Sequence, residues 1–144
     1  MTQTSRNHTA APGPATGNAD APQAPPAFPP SARRGPVVQV SGQGALDPAT
    51  GAVLHTGDVA AQTTCALENV RAALAAGGAS LTDVVMLRVH LTERAHYAAM
   101  NEAYGRFVNR YFGTGPRPCR TTVMVGLPLA GMLVEIDAQA VVGY

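Results

Sequence analysis

The sequence predicts an α+β fold in which two helices cover one face of a sheet. Apolar residues recur at helical 3.6-residue spacing in two segments, and they alternate with polar residues at period two in strand-like runs. The order in which these patterns follow one another is β-β-α-β-α-β-β, an α+β arrangement rather than a regular β-α alternation. At 144 residues the chain has the length of one domain with a sizeable core.

Residues 1–27 are rich in Ala, Pro, Thr, Gly, Asn and Gln and carry almost no large apolar side chains, so they read as a flexible tail before a domain at 28–144. Phe28 is the first aromatic residue and stands close enough to that domain to dock on it. The β-branched run Val37 to Ser41 predicts a strand. Asp47-Pro48-Ala49-Thr50-Gly51 supplies turn chemistry, and a short second strand is expected beyond it.

The first helix shows Val59, Thr63, Ala66, Leu67, Val70, Ala73 and Leu74 on one face, with Asp58 as its cap and Gly77-Gly78 as its stop. In "DVVMLRVHLTE", Val85, Leu87, Val89 and Leu91 alternate with Met86, Arg88, His90 and Thr92, which predicts a strand with one core face. The second helix aligns Tyr97, Met100, Tyr104, Phe107, Val108 and Tyr111, includes Asn101 in that face, and breaks at Gly113, Gly115 and Pro116. Thr121 to Val125 and Met132 to Val142, joined through Leu127-Pro128 and a turn near Gly131, complete the set, and if they pair they set Arg120 and Glu135 on neighbouring strands.

Alternation assigns Arg120, Thr122 and Met124, together with Glu135, Asp137, Gln139, Arg88 and His90, to the sheet face away from the helices. A face of that composition either lies in water or is covered by another copy of the chain, and its mixture of charge with Met86, Met124 and Leu133 favours the copy. On the same placement Arg120 and Glu135 either form an ordinary cross-strand ion pair or act on a ligand. In the second case the arginine fork holds a carboxylate and the glutamate handles a water.

Other chemistries find little purchase. Formal net charge is +1, with ten arginines, no lysine and no run of like charge, so neither nucleic acid nor an anionic membrane is an expected partner. No apolar stretch reaches the roughly 20 residues of a membrane span, and the expected location is the cytoplasm. Cys65 and Cys119 are expected as reduced thiols, and Cys119 as incidental because neighbours along a strand point opposite ways. The four histidines show no metal-ligand spacing, and no phosphate loop, dinucleotide fingerprint or nucleophile elbow is present. In "VSGQG", glycine either ends a strand or lets a small ligand approach the backbone.

The segments "VSGQGALDPATG", "DVAAQTTCALENVRAALAAGGASLTDVVMLRVHLT", "YAAMNEAYGRF" and "CRTTVMVGLPLAGMLVEIDAQAV", in this order, resemble the Rid (reactive intermediate deaminase, YjgF) family over about residues 28–141. The resemblance implies a chorismate-mutase-like α+β sandwich with a mixed sheet, assembled as a homotrimer with sites between subunits. It implies hydrolysis of 2-imino acids or their enamine tautomers to 2-keto acids and ammonia, without a cofactor or metal. Carried over by position, the carboxylate-binding arginine is Arg120 and the water-handling glutamate is Glu135. Ser41, Gly42 and Asn101 complete the substrate-binding set. Thr122 stands where the family has a cysteine, and Phe28 where it has a tyrosine, so a ring is kept and a hydroxyl lost. "FPPSARRGP" occupies the place of the first strand, which is expected to be short or irregular. Ribonuclease activity, known among relatives, has little support in a neutral chain without a basic stripe.

Overall fold

The computed structural model describes residues 27–143, and the tail expected at 1–27 lies almost wholly outside the described residues. Five strands form one mixed sheet: β1 (Ser31–Arg34), β2 (Val37–Gly44), β3 (Val84–Leu91), β4 (Cys119–Met124) and β5 (Val134–Val141), in the spatial order β1-β2-β5-β3-β4. Two helices, α1 (Val59–Ala76) and α2 (Tyr97–Phe112), pack side by side on one face, as expected. Ladders are antiparallel except β3 with β4, whose parallel pairing uses α2 as its crossover.

Each helix buries the stripe its spacing defines. α1 sinks Ala66, Leu67, Val70, Ala73 and Leu74 against β2 and β5, and α2 sinks Met100, Ala103, Tyr104, Phe107, Val108 and Phe112. The Asp58 side chain accepts from the Ala61 N–H at the start of α1. Gly78 ends the helix at φ +74°, a left-handed conformation that glycine adopts without Cβ strain, and the Ala79 N–H closes back on the Leu74 carbonyl. From the sheet, Val38, Val40, Leu87, Val89, Leu91, Val134, Ile136, Ala138 and Ala140 fill the same core.

Four expectations need correction. The strand beyond the Asp47 turn is only an isolated bridge between Leu46 and Val53. The second strand of the opening pair is instead the four-residue edge strand β1, in the segment expected to be short. Val85 is exposed, because a register shift between Val84 and Met86 breaks the alternation there. Asn101 is exposed rather than on the buried face of α2.

The fourth correction decides the geometry of the site. The last two strands are not neighbours: β5 runs between β2 and β3, and β4 lies at the far edge. Residues paired across a ladder point to the same side, and Arg120 pairs with the buried Leu87, Thr122 with Val89 and Met124 with Leu91. Arg120, Thr122 and Met124 therefore face the helix layer. Glu135 pairs with His90, and Asp137 with Arg88, on the open face as predicted. Of the two readings of Arg120 and Glu135, the cross-strand ion pair is thus excluded by topology.

Candidate functional site

Arg120 is held by α2. One Nη donates to Asn101 Oδ1 at 2.9 Å and the other to the Tyr97 hydroxyl at 3.1 Å. The guanidinium lies 4.6 Å from the Tyr104 ring centroid and 5.9 Å from that of Tyr97. Such contacts fix a planar cation by stacking and by charge-assisted hydrogen bonds. Two of its five N–H donors are engaged, and the rest of the fork has no partner among the described residues. Burial raises the Tyr104 hydroxyl pKa, against the opposing pull of Arg120 and Arg117, so this ring stays a neutral platform. Two residues along β4 on the same face, Thr122 buries its Oγ1 without a hydrogen-bond partner among the described residues.

Glu135 is held by the bulge in β2. Between the Val40–Ala138 and Gln43–Ile136 pairs, β2 advances three residues while β5 advances two, and the extra residue falls at Ser41-Gly42. Gly42 lies directly against the Glu135 side chain: a Cβ built on it would fall on the carboxylate, so only glycine leaves that carboxylate its present place. Together with His90, Asp137 and the segment Val125-Gly126-Leu127-Pro128, these two residues line a cavity of about 360 Å³. Across its floor Asp137 accepts from Arg88 Nε at 2.7 Å and faces His90 Nε2 at 3.0 Å. The bond to Asp137 raises the pKa of Arg88.

Three anchors hold the ends of this cavity. Gln62, only 1% exposed, donates to the carbonyls of Leu54, His55 and Gly131, and its Oε1 accepts from the Leu133 N–H at 2.8 Å, two residues before Glu135. Asn69 donates to the Gly44 carbonyl at 2.9 Å beside the bulge. Ser41 donates its hydroxyl to the Pro29 carbonyl at 2.8 Å and its N–H to that of Pro30, tying the incoming chain to β2. Its proton is therefore already committed. Phe28, 66% exposed, lines a second, largely apolar cavity of about 540 Å³ with Leu46, Asn69 and Ala72, on the other side of Gly42 from Glu135.

The predicted residues thus fall into two groups. Arg120, Asn101 and Thr122 belong to the α2 side of the β4 edge, while Ser41, Gly42 and Glu135 gather at the β2 bulge, with Phe28 behind it. The groups lie on opposite faces, and Arg120 sits three residues along β4 from the row of Glu135, roughly 10 Å away in the strand direction alone. Sequence reasoning missed the hydroxyl of Tyr97 and the platform of Tyr104, which it counted as core. It also missed the Arg88–Asp137–His90 cluster as a unit, although all three residues were assigned to one face. Their spacing, i and i+2 on one strand opposite an acid on another, was the available signal. Cys65 and Cys119 are both free, and Cys119 faces away from Arg120. Among the described residues no three His, Cys, Asp or Glu side chains are placed to hold a metal ion, and no helix is long and apolar enough to cross a membrane.

Comparison with known proteins gives the context for this geometry. The family model described as Endoribonuclease L-PSP matches residues 18–142. Protein DfrA of Myxococcus xanthus is 45% identical over 107 residues, which is 74% of this chain and 77% of that protein. The structure of Escherichia coli TdcF with bound serine superposes with a TM-score of 0.73 at 32% identity, covering 85% of this chain and 94% of that one. The E. coli YjgF gene product gives a TM-score of 0.72 at 31% identity, covering 85% and 93%. Agreement of sequence over most of the chain with agreement of fold at this level places the protein: the chain belongs to the Endoribonuclease L-PSP family, that of YjgF and RidA.

Proposed function

We propose that the protein is a cofactor-independent, cytoplasmic deaminase that hydrolyses reactive 2-imino acids, or their enamine tautomers, to 2-keto acids and ammonia. We infer further that it works as a homotrimer, each site joining the Arg120 group of one subunit to the Glu135 group of the next. The observation that carries this reading is the separation of two half-sites, each well formed and neither sufficient. An oriented guanidinium with free donors suits a carboxylate, and a carboxylate lining a cavity suits a water, but they occupy opposite faces of one sheet. A small molecule that uses both needs two copies of the chain.

In this reading the substrate carboxylate takes the open edge of Arg120, which Asn101 and Tyr97 hold in plane. That contact fixes the C=N carbon, and Glu135 of the neighbouring copy takes a proton from a water as the water oxygen bonds to that carbon. TdcF, with its bound serine, supports a ligand bearing an amino acid carboxylate. RNA cleavage, the activity in the family's description, has less support: net charge is +1, and Arg71, Arg88 and Arg106 are each paired with an acid.

The test is keto acid and ammonia release from 2-iminobutanoate generated in situ. Wild type is expected to accelerate it and Arg120→Ala to lose at least about 100-fold in kcat/KM, since one bidentate anion contact is removed from the transition state. Tight carboxylate binding by calorimetry with no turnover would replace the reading with a binding protein. Wild type and variant both at the uncatalysed rate over a panel of imines would end it.

A further inference from the structure

We propose that His90 is the group that delivers the proton to the departing nitrogen. The proposal rests on the imine deaminase reading and adds to it the acid that the Arg120 and Glu135 pair lacks. An imine leaves as ammonia only after its nitrogen has gained two protons, and Arg120 has none to give at neutral pH. One can come from water through Glu135. The other needs a second acid in the same cavity.

His90 meets the geometric requirement. It is the register partner of Glu135 across β3 and β5, which puts the two Cβ atoms about 5 Å apart on the open face. Both side chains line the 360 Å³ cavity. Asp137 grips the ring: its Oδ2 lies 3.0 Å from Nε2, while its Oδ1 takes Arg88 at 2.7 Å. An ionised carboxylate only accepts hydrogen bonds, so Nε2 carries a hydrogen in either charge state and Nδ1 is the atom that exchanges a proton. The charged and titratable groups facing His90 are Glu135 and Asp137 from β5 and Arg88 from β3. From β4 its register partner is the apolar Val123, and the Val125–Pro128 segment adds no titratable side chain.

The step balances without a further reactant. Water gives a proton to Glu135 and its oxygen bonds to the imine carbon. The C=N π pair moves to nitrogen, which takes the Nδ1 proton of His90. The resulting carbinolamine nitrogen then takes the proton held by Glu135, the C–N bond breaks with its pair leaving on ammonia, and the hydroxyl proton returns to Nδ1 as C=O forms. Imine and water have become ketone and ammonia, and both side chains are restored.

The test is the kinetics of imine hydrolysis by full-length wild type, His90→Gln and Asp137→Asn, with thermal unfolding of each as a folding control. His90→Gln should lower kcat about 100-fold with KM within about twofold, because the substrate still binds but its nitrogen loses the proton donor. Asp137→Asn keeps the imidazole but removes the carboxylate that fixes its tautomer, so it should lower kcat at least about tenfold, again with KM within about twofold. Wild-type activity with a His90→Gln kcat that matches it overturns the assignment alone. If His90→Gln does not fold, an unchanged kcat in Asp137→Asn overturns it. No hydrolysis by wild type overturns both this assignment and the deaminase reading beneath it.

Discussion

Gly42 shows how closely a single atom controls the open-face cavity. Its missing Cβ is the space that the Glu135 carboxylate occupies, and the atoms in the way belong to the movable end of a glutamate. Gly42→Ala should therefore leave the thermal unfolding midpoint near that of wild type while lowering kcat at least about tenfold, because a displaced carboxylate misplaces the water it holds. Unchanged kcat in a folded variant would separate Gly42 from the chemistry. At this scale the residue types were readable in the sequence: Arg120 and Asn101 meet on the α2 side of β4, and Gly42 and Glu135 at the β2 bulge. Their partners were not. Tyr97 and Tyr104 fit an apolar helical stripe, and only the parallel register of β4 on β3 reveals that their rings and a hydroxyl meet a guanidinium.

Among the elements, the helices were legible because a periodic stripe and a glycine stop mark each, and α1 also begins at Val59 behind its cap Asp58. The phase of the strands was harder. Alternation says that Arg120 and Val123 point opposite ways, but which of them faces the helices depends on the neighbouring strand, and the sequence does not show that β3 rather than β5 flanks β4. Long-range anchors were harder to read: the helical period puts Gln62 on the stripe of Val59 and Ala66, but nothing in the sequence shows that its amide reaches the Leu133 N–H at the entry to β5. Gln62→Leu would leave three carbonyls and one N–H without their partner, and should cost about 3 kcal/mol in denaturant unfolding. A cost below about 0.5 kcal/mol would mean that the anchor is redundant.

The two helices are also tied to each other. Burial alone pushes the Glu68 carboxyl up, but hydrogen bonds from the Tyr111 hydroxyl and from Arg71 outweigh it and bring the pKa below 4.5. A carboxylate with a depressed folded pKa contributes stability above its unfolded value, lost as pH falls through the folded one. The stability gap between wild type and Tyr111→Phe is therefore expected in full at neutral pH and should close as pH drops below 4.5. A gap independent of pH would place the effect of Tyr111 in packing instead.

For the molecule as a whole, the open face mixes charged and apolar side chains. Glu135, Asp137, Arg88 and His90 share it with Met86 and the exposed Val37 and Val123. Covering that face with further copies would bury these side chains and bring the Glu135 group of one chain toward the β4 edge of the next. If each site is shared between chains, as proposed, mixing two inactive variants restores intact sites. Arg120→Ala and Glu135→Gln are each expected to be inactive alone. Unfolded together at equal amounts and refolded, they should regain about one quarter of wild-type imine hydrolysis, the fraction of interfaces at which an intact Arg120 meets an intact Glu135 in a randomly mixed ring. A refolded mixture no more active than the two variants measured apart would mean that no site is shared between chains.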